Sequence, residues 1–217
     1  MISIKCAPEP RSFDSRVRQR GLSAIDELVG RNPRVGHPGR RRTKVATREA
    51  DISPDAFPPF WRDELDDMLT AYQRRCAFLA LYLEHATGDP SVDHMLPKSR
   101  SWEQVYEWSN YRLCAGLINA RKRDLVGIID PFSCKPGWFA LEFVGFQVIR
   151  GPRAPTSRGA ELDATIELLN IPECRRARED YVVSYQQGHI RLPFLERRAP
   201  FIAYELRRQN RLRKGDR

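Results

Sequence analysis

The sequence predicts an α+β fold, mainly helical, with two short strands near the middle of the chain and an adjoining β-hairpin. Three observations carry this. Apolar residues recur at helical spacing before residue 85 and again in the last third of the chain. Between these regions lie two short apolar runs, "SVDHMLP" and "YRLCAGL", that read as strands. A third run, "GIIDPFSCKPGWFALEFVGFQVIRG", alternates apolar and polar residues around a Gly-centred turn and reads as a hairpin.

Taken in order, residues 1–50 form a basic N-terminal arm with one short helix over "SAIDELVG". Ser23 is its expected cap and Gly30 its stop. The arm that follows, with Pro33, Pro38 and "GHPGRRR", is expected to be mobile until something binds it. Residues 51–150 form the central segment. One or two helices are expected from the "PP" at residue 58 to about His85, with Leu65, Met68, Leu69, Tyr72, Cys76, Leu79 and Leu83 as their apolar positions. The Phe and Trp residues before them read as core. Then come a turn, a strand over Val92–Met95 with a proline exit, a loop, a second strand near Tyr111–Cys114, a helix from about Ala115 to Asp124, and the hairpin. Residues 151–217 form a helical C-terminal region with a basic tail, its helices in "GAELDATIELLNI", "ECRRAREDYVVSYQQG" and "APFIAYELRRQNRLRK".

Composition bounds the function. With 217 residues, 41% hydrophobic and 30% charged, the chain has enough material for one sizeable core. No apolar run approaches the roughly 20 residues of a membrane-spanning helix, and the start lacks a secretory pattern. A cytoplasmic protein with no membrane partner is expected. The five cysteines are odd in number and widely spaced, without a CxxC pair, so free buried thiols are expected rather than disulfides or structural zinc. The net charge of +9 is concentrated: Arg11–Lys44 carries ten Lys/Arg against three carboxylates, and Arg191–Arg217 nine against three. Such segments attract a polyanion, nucleic acid above all, unless they are merely a solvated surface.

The sharpest local feature is "SVDHMLPKSR", residues 91–100. In a strand, Asp93 and His94 point to opposite faces. The pair is either the polar end of an edge strand or a metal ligand beside a general base. Hydrolysis of a phosphodiester needs an activated water, neutralised phosphate charge and help for the leaving oxygen. A neutral imidazole can take the proton from water near pH 7. A carboxylate together with an amide oxygen suits Mg²⁺ or Mn²⁺, which keep several waters.

The ordered set Asp93, His94, Pro97, Lys98, Ser99, then Trp108, Asn110 and Leu113, then Asn119 and Lys122, resembles the HNH endonucleases, whose shared fold is called ββα-metal. The resemblance covers about residues 76–130. It implies a mainly helical protein built around a ββα-metal nuclease core. His94 would be the general base, and Asn110 would brace the loop behind it. Asp93 and Asn119 would hold a divalent metal, Mg²⁺ first and Mn²⁺ second. Lys98, Arg112 and Lys122 are candidate phosphate contacts, and DNA is the expected substrate. "YEWSNYRL" and "IIDPF…GWFALEF" are also similar to a bacterial anti-phage-defence branch, the Septu type, in which the nuclease works beside an ATPase. The chain departs from many relatives in having Asn119 in place of His. It also has only Cys76 (with Leu79) and Cys114 (with Leu117) where two zinc-binding cysteine pairs stand, so packing is expected to replace that zinc. Competing expectations are a non-catalytic nucleic-acid-binding or partner-docking protein on a decayed HNH fold, and an RNA-cleaving nuclease.

Overall fold

A computed structural model describes residues 1–216; Arg217, the last residue of the expected basic tail, lies outside the described residues. Among them are seven α-helices and two two-stranded antiparallel sheets, an α+β protein.

A π-helical turn at Asp14–Arg18 runs directly into α1, Gln19–Leu28. The helical run is therefore longer than its sequence signal, because Phe13 and Val17 continue the apolar stripe of Ile25 and Leu28 and are fully buried. Gly21 lies on this face, where a Cβ would stand 2.2 Å from the Tyr106 ring. Ser23 is not a cap. It sits mid-helix, and its Oγ accepts the Val35 N–H at 2.9 Å. Gly30 does end the run, with a φ of +86° that only glycine adopts freely.

The basic arm, expected to move freely, is tied back onto α1. Arg31 and Arg34 pair with the buried Asp26 at 3.1 and 2.9 Å. Arg42 and His37 reach the buried Glu27 at 2.8 and 3.0 Å. Two carboxylates on one helix turn thus fix Arg31, Arg34, Arg42 and His37 in place, while the segment keeps the positive excess already counted with them.

Short 3-10 turns at Pro54–Ala56 and Phe60–Glu64 lead into α2, Leu65–Ala71. The helix expected to continue toward His85 stops there. Gln73 and Arg74 take φ values of +52° and +56°, and residues 76–83 form a knuckle. In it Cys76 N–H donates to Leu81 O at 2.9 Å, and Ala77 N–H to Leu113 O at 2.8 Å. Burial explains the failure of the periodic reading: Cys76, Ala77, Phe78, Ala80, Leu81 and Leu83 are all buried, with only the half-buried Leu79 and Tyr82 between them, a density that a one-faced helix does not produce. The knuckle seats Cys76 against Cys114. Burial raises the Cys76 thiol, but hydrogen bonds from the Cys114 thiol and from the N–H groups of Leu79, Ala115 and Phe78 outweigh it and bring Cys76 down to about 7. Leu117, at the fourth corner of the incomplete pairs, is exposed.

β1, Pro90–His94, pairs antiparallel with β2, Tyr111–Ala115, in a register that sets Asp93 opposite Arg112 and His94 opposite Tyr111. α3, Gly116–Lys122, follows β2 without a loop and packs on β1. The expected hairpin is β3, Phe139–Leu141, with β4, Val148–Arg150. The Glu142 carboxylate accepts the N–H groups of Val144, Gly145 and Gln147 in its turn. The C-terminal region is helical as predicted, with α4 Gly159–Leu169, α5 Pro172–Gln186, α6 Leu192–Arg198 and α7 Pro200–Arg208. α7 is tied to β3 by fully buried Glu205, which accepts the Leu141 N–H at 2.9 Å. One buried apolar cluster draws side chains from all three segments of the chain. No helix among the described residues is long and apolar enough to cross a membrane.

Candidate active site

β1 ends on the two residues that matter most. Because strand side chains alternate, Asp93 turns toward α3 while His94 enters an aromatic setting on the other side. The His94 ring stands edge-on to Trp61, with centroids 4.7 Å apart, and to Tyr111 at 5.2 Å. His94 Nε2 lies 2.9 Å from Val105 O. A carbonyl can only accept, so Nε2 carries the hydrogen and Nδ1 the lone pair. Tyr111 Oη donates to the same carbonyl at 2.9 Å. Burial pushes the imidazole down to about 4, with the Val105 bond opposing and the Lys98 and Lys122 charges adding to the fall. His94 is therefore neutral at ordinary pH.

Asp93 is 2% exposed. Its Oδ1 lies 3.1 Å from Lys122 Nζ, which also donates to His94 O at 2.7 Å. Its Oδ2 is buried with no hydrogen-bond partner among the described residues. Burial pushes the carboxyl up to about 6, against the pull of Lys122 and Arg112. Across the gap, α3 presents Asn119. The Asn119 Nδ2 donates to Ser91 Oγ at 3.1 Å and Val92 O at 3.3 Å, so its Oδ1 is the end left for another partner. Asp93, His94 and Asn119 line one cleft of about 540 Å³. A buried carboxylate oxygen without a partner and an amide oxygen in one cleft fit a hard divalent cation. Among the described residues no group of three or more His, Cys, Asp or Glu side chains could hold a metal. Asp93 and Asn119 would supply two oxygens, leaving the remaining positions to water and substrate.

Asn110 does not line the cleft. It closes the neck of the 95–109 loop, its Oδ1 accepting Leu96 N–H at 2.7 Å and its Nδ2 donating to Leu96 O and Gln104 O at 3.1 and 3.0 Å. These bonds tie the two ends of the loop together, and Gln104 immediately precedes the carbonyl that orients His94. Lys98 lines the cleft, with Nζ 4.7 Å from the Trp61 ring centroid, and burial lowers its pKa.

Two expected phosphate contacts are corrected. Arg112 is 3% exposed, and its guanidinium is bidentate to Asp130 at 2.8 and 2.6 Å, donates to Ser109 O and Tyr111 O, and covers the Phe132 ring. Lys122 is 1% exposed, because a position three residues after Asn119 returns to the helix face packed on β1. Both cations are structural, and both lower the cost of keeping Asp93 ionised.

Sequence reasoning missed the opposite wall, where Pro54 and Asp55 approach from the N-terminal side, and the two residues beyond α3, Arg123 and Asp124. Trp61, read as core, does belong to the buried apolar cluster and is also the platform for both His94 and Lys98. The "FPPFW" cluster was the available signal for it. Compared with protein-family models, curated proteins and solved structures, the chain matches none.

Proposed function

We propose that this chain is a metal-dependent endonuclease of the HNH type that hydrolyses phosphodiester bonds in DNA. The observation that supports it is one cleft lined by His94, whose neutral imidazole leaves Nδ1 free, by Asn119, and by Asp93, whose buried Oδ2 has no partner among the described residues. His94 Nδ1 takes a proton from the attacking water, and the imidazolium so formed is stabilised through Nε2–H by Val105 O. Attack on phosphorus breaks the bond to the 3′ oxygen. Asp93 Oδ2 and Asn119 Oδ1 would hold the divalent ion, Mg²⁺ or Mn²⁺. When bound, that ion neutralises charge on the phosphate and on the departing oxygen. Asn110 keeps Val105, and hence the imidazole, in place through Gln104. Lys98 supplies positive charge on the rim. A role in anti-phage defence beside a partner ATPase follows from the sequence resemblance and belongs to the same proposal.

A plasmid-nicking assay tests it. The protein nicks supercoiled DNA with Mg²⁺ or Mn²⁺ and not with EDTA, and His94→Ala lowers the rate about 10²- to 10⁴-fold while DNA binding persists. Full activity of a clean His94→Ala preparation overturns the assignment. Labelled RNA in a parallel reaction separates the two substrates. One observation favours a second reading, binding without cleavage: Lys122 already neutralises one oxygen of Asp93. DNA retention without nicking in either metal would select that reading.

A further inference from the structure

Arg123, the first residue after α3, has φ +43° and ψ −120°. An L residue is strained there and glycine is not. The turn itself has a clear purpose, since the Arg123 N–H donates to Asn119 O at 3.0 Å and closes the helix beneath Asn119. The side chain is not needed for that. It is exposed, it lines the cleft, and its one protein hydrogen bond runs from Nε to Ala120 O at 3.2 Å. Among the described residues its Nη1 and Nη2 donors have no partner and it forms no ion pair. In the N-terminal segment Arg16, Arg18, Arg20, Arg31, Arg34 and Arg42 each sit on a carboxylate, whereas Arg11, Arg40 and Lys44 form no ion pair among the described residues. Lys98, the other cation lining the cleft, also forms no ion pair among the described residues. Asp55 and Asp124 share the rim; neither forms an ion pair with Lys98 or Arg123, but both carboxylates act on Lys98 at longer range.

We propose that Arg123 and Lys98 form a two-point clamp on the phosphates of the strand being cut, Arg123 taking a phosphate bidentately through its free Nη donors. A guanidinium fork matches two phosphate oxygens, and unpaired cations at a reaction cleft suit a polyanion. This rests on reading the cleft as a phosphodiesterase site, and it explains why a strained backbone position carries arginine.

The test uses the full chain with Arg123→Gly and Arg123→Lys, each with and without His94→Ala. Binding to a short DNA duplex is titrated at several salt concentrations in the His94→Ala background, where cleavage does not interfere. Arg123→Gly is expected to keep or raise the melting temperature, because glycine takes this φ without strain. It should also weaken binding about tenfold and reduce the slope of log affinity against log salt by about one. In the cleaving background its KM rises while kcat changes less. Arg123→Lys restores charge and salt slope, but not the full affinity, since it lacks the fork. A merely structural role would move stability and leave the salt slope alone. Wild-type binding and salt slope in Arg123→Gly overturn the clamp whether or not the chain cleaves. Loss of cleavage in the parent chain, with the Arg123 effect on binding intact, overturns the nuclease reading and leaves the clamp standing.

Discussion

Val105 O accepts from both His94 Nε2 and Tyr111 Oη, and Asn110 pins the loop that carries it. The imidazole is therefore held in one tautomer by groups that never reach the cleft, while its burial keeps it neutral. His94 titrates near 6.5 in the unfolded chain and near 4 in the fold. As pH falls through that window the unfolded chain gains a proton that the fold refuses, so His94 removes up to roughly 3 kcal/mol of stability. Asp93 works in the opposite sense. It is raised from 3.8 to about 6, so the fold gains a proton first and recovers a comparable amount as pH falls from about 6 to 4. The two offset each other in the parent chain. His94→Gln keeps a donor for Val105 O and removes one titration. Urea unfolding between pH 6.5 and 4.5 should then show this variant gaining stability relative to the parent, and parallel curves would refute the assignment. Asn110→Ala should cost about 1–3 kcal/mol in thermal unfolding, since it takes the partner from part-buried backbone groups at Leu96 and Gln104. It should also slow nicking at temperatures where the variant is fully folded.

Among the elements, α1 departs most from its sequence signal. Its buried Asp26 and Glu27 organise the arginines of residues 31–42, which looked like a free basic arm. The Glu27 carboxyl lies below its ordinary value: burial would raise it, but the Arg42 and His37 hydrogen bonds prevail. Glu27→Gln leaves Arg42 and His37 without their counter-charge. It is expected to destabilise the protein by roughly 3 kcal/mol and to speed tryptic cutting at Arg40–Arg42 while cuts elsewhere change less. Equal acceleration at every site would mean that the arm depends on global folding rather than on this carboxylate. The knuckle at residues 76–83 shows a related limit. Its apolar residues fit helical spacing, yet the chain turns because Ala77 N–H donates to Leu113 O and Cys76 Sγ accepts from Ala115 N–H, both on β2.

Across the whole molecule, the ββα unit does not stand alone. Phe13 packs edge-on against Trp108 and Tyr111 at 5.6 and 5.7 Å, and Trp108 Nε1 donates to Ala7 O at 2.8 Å. Trp61, the platform under His94, comes from the turn before α2. The hairpin is anchored to α7 through Glu205. A fragment spanning residues 51–150 should therefore lack a cooperative thermal transition by circular dichroism, whereas the full chain melts in one step. A folded fragment would show that the shared core is dispensable.

The strand–strand–helix order, the opposed faces of Asp93 and His94, the hairpin and the C-terminal helices were legible in the amino-acid sequence, because alternation, helical spacing and turn residues act over a few positions. The tautomer of His94, the inward burial of Arg112 and Lys122, the wall built by Pro54 and Asp55, and the exposed Arg123 were decided only by tertiary structure. A cation's direction depends on which carboxylate it meets, and Lys122 meets Asp93 from 29 residues away. No local pattern carries that pairing, so only the assembled core separates a buried structural charge from one free to hold a phosphate.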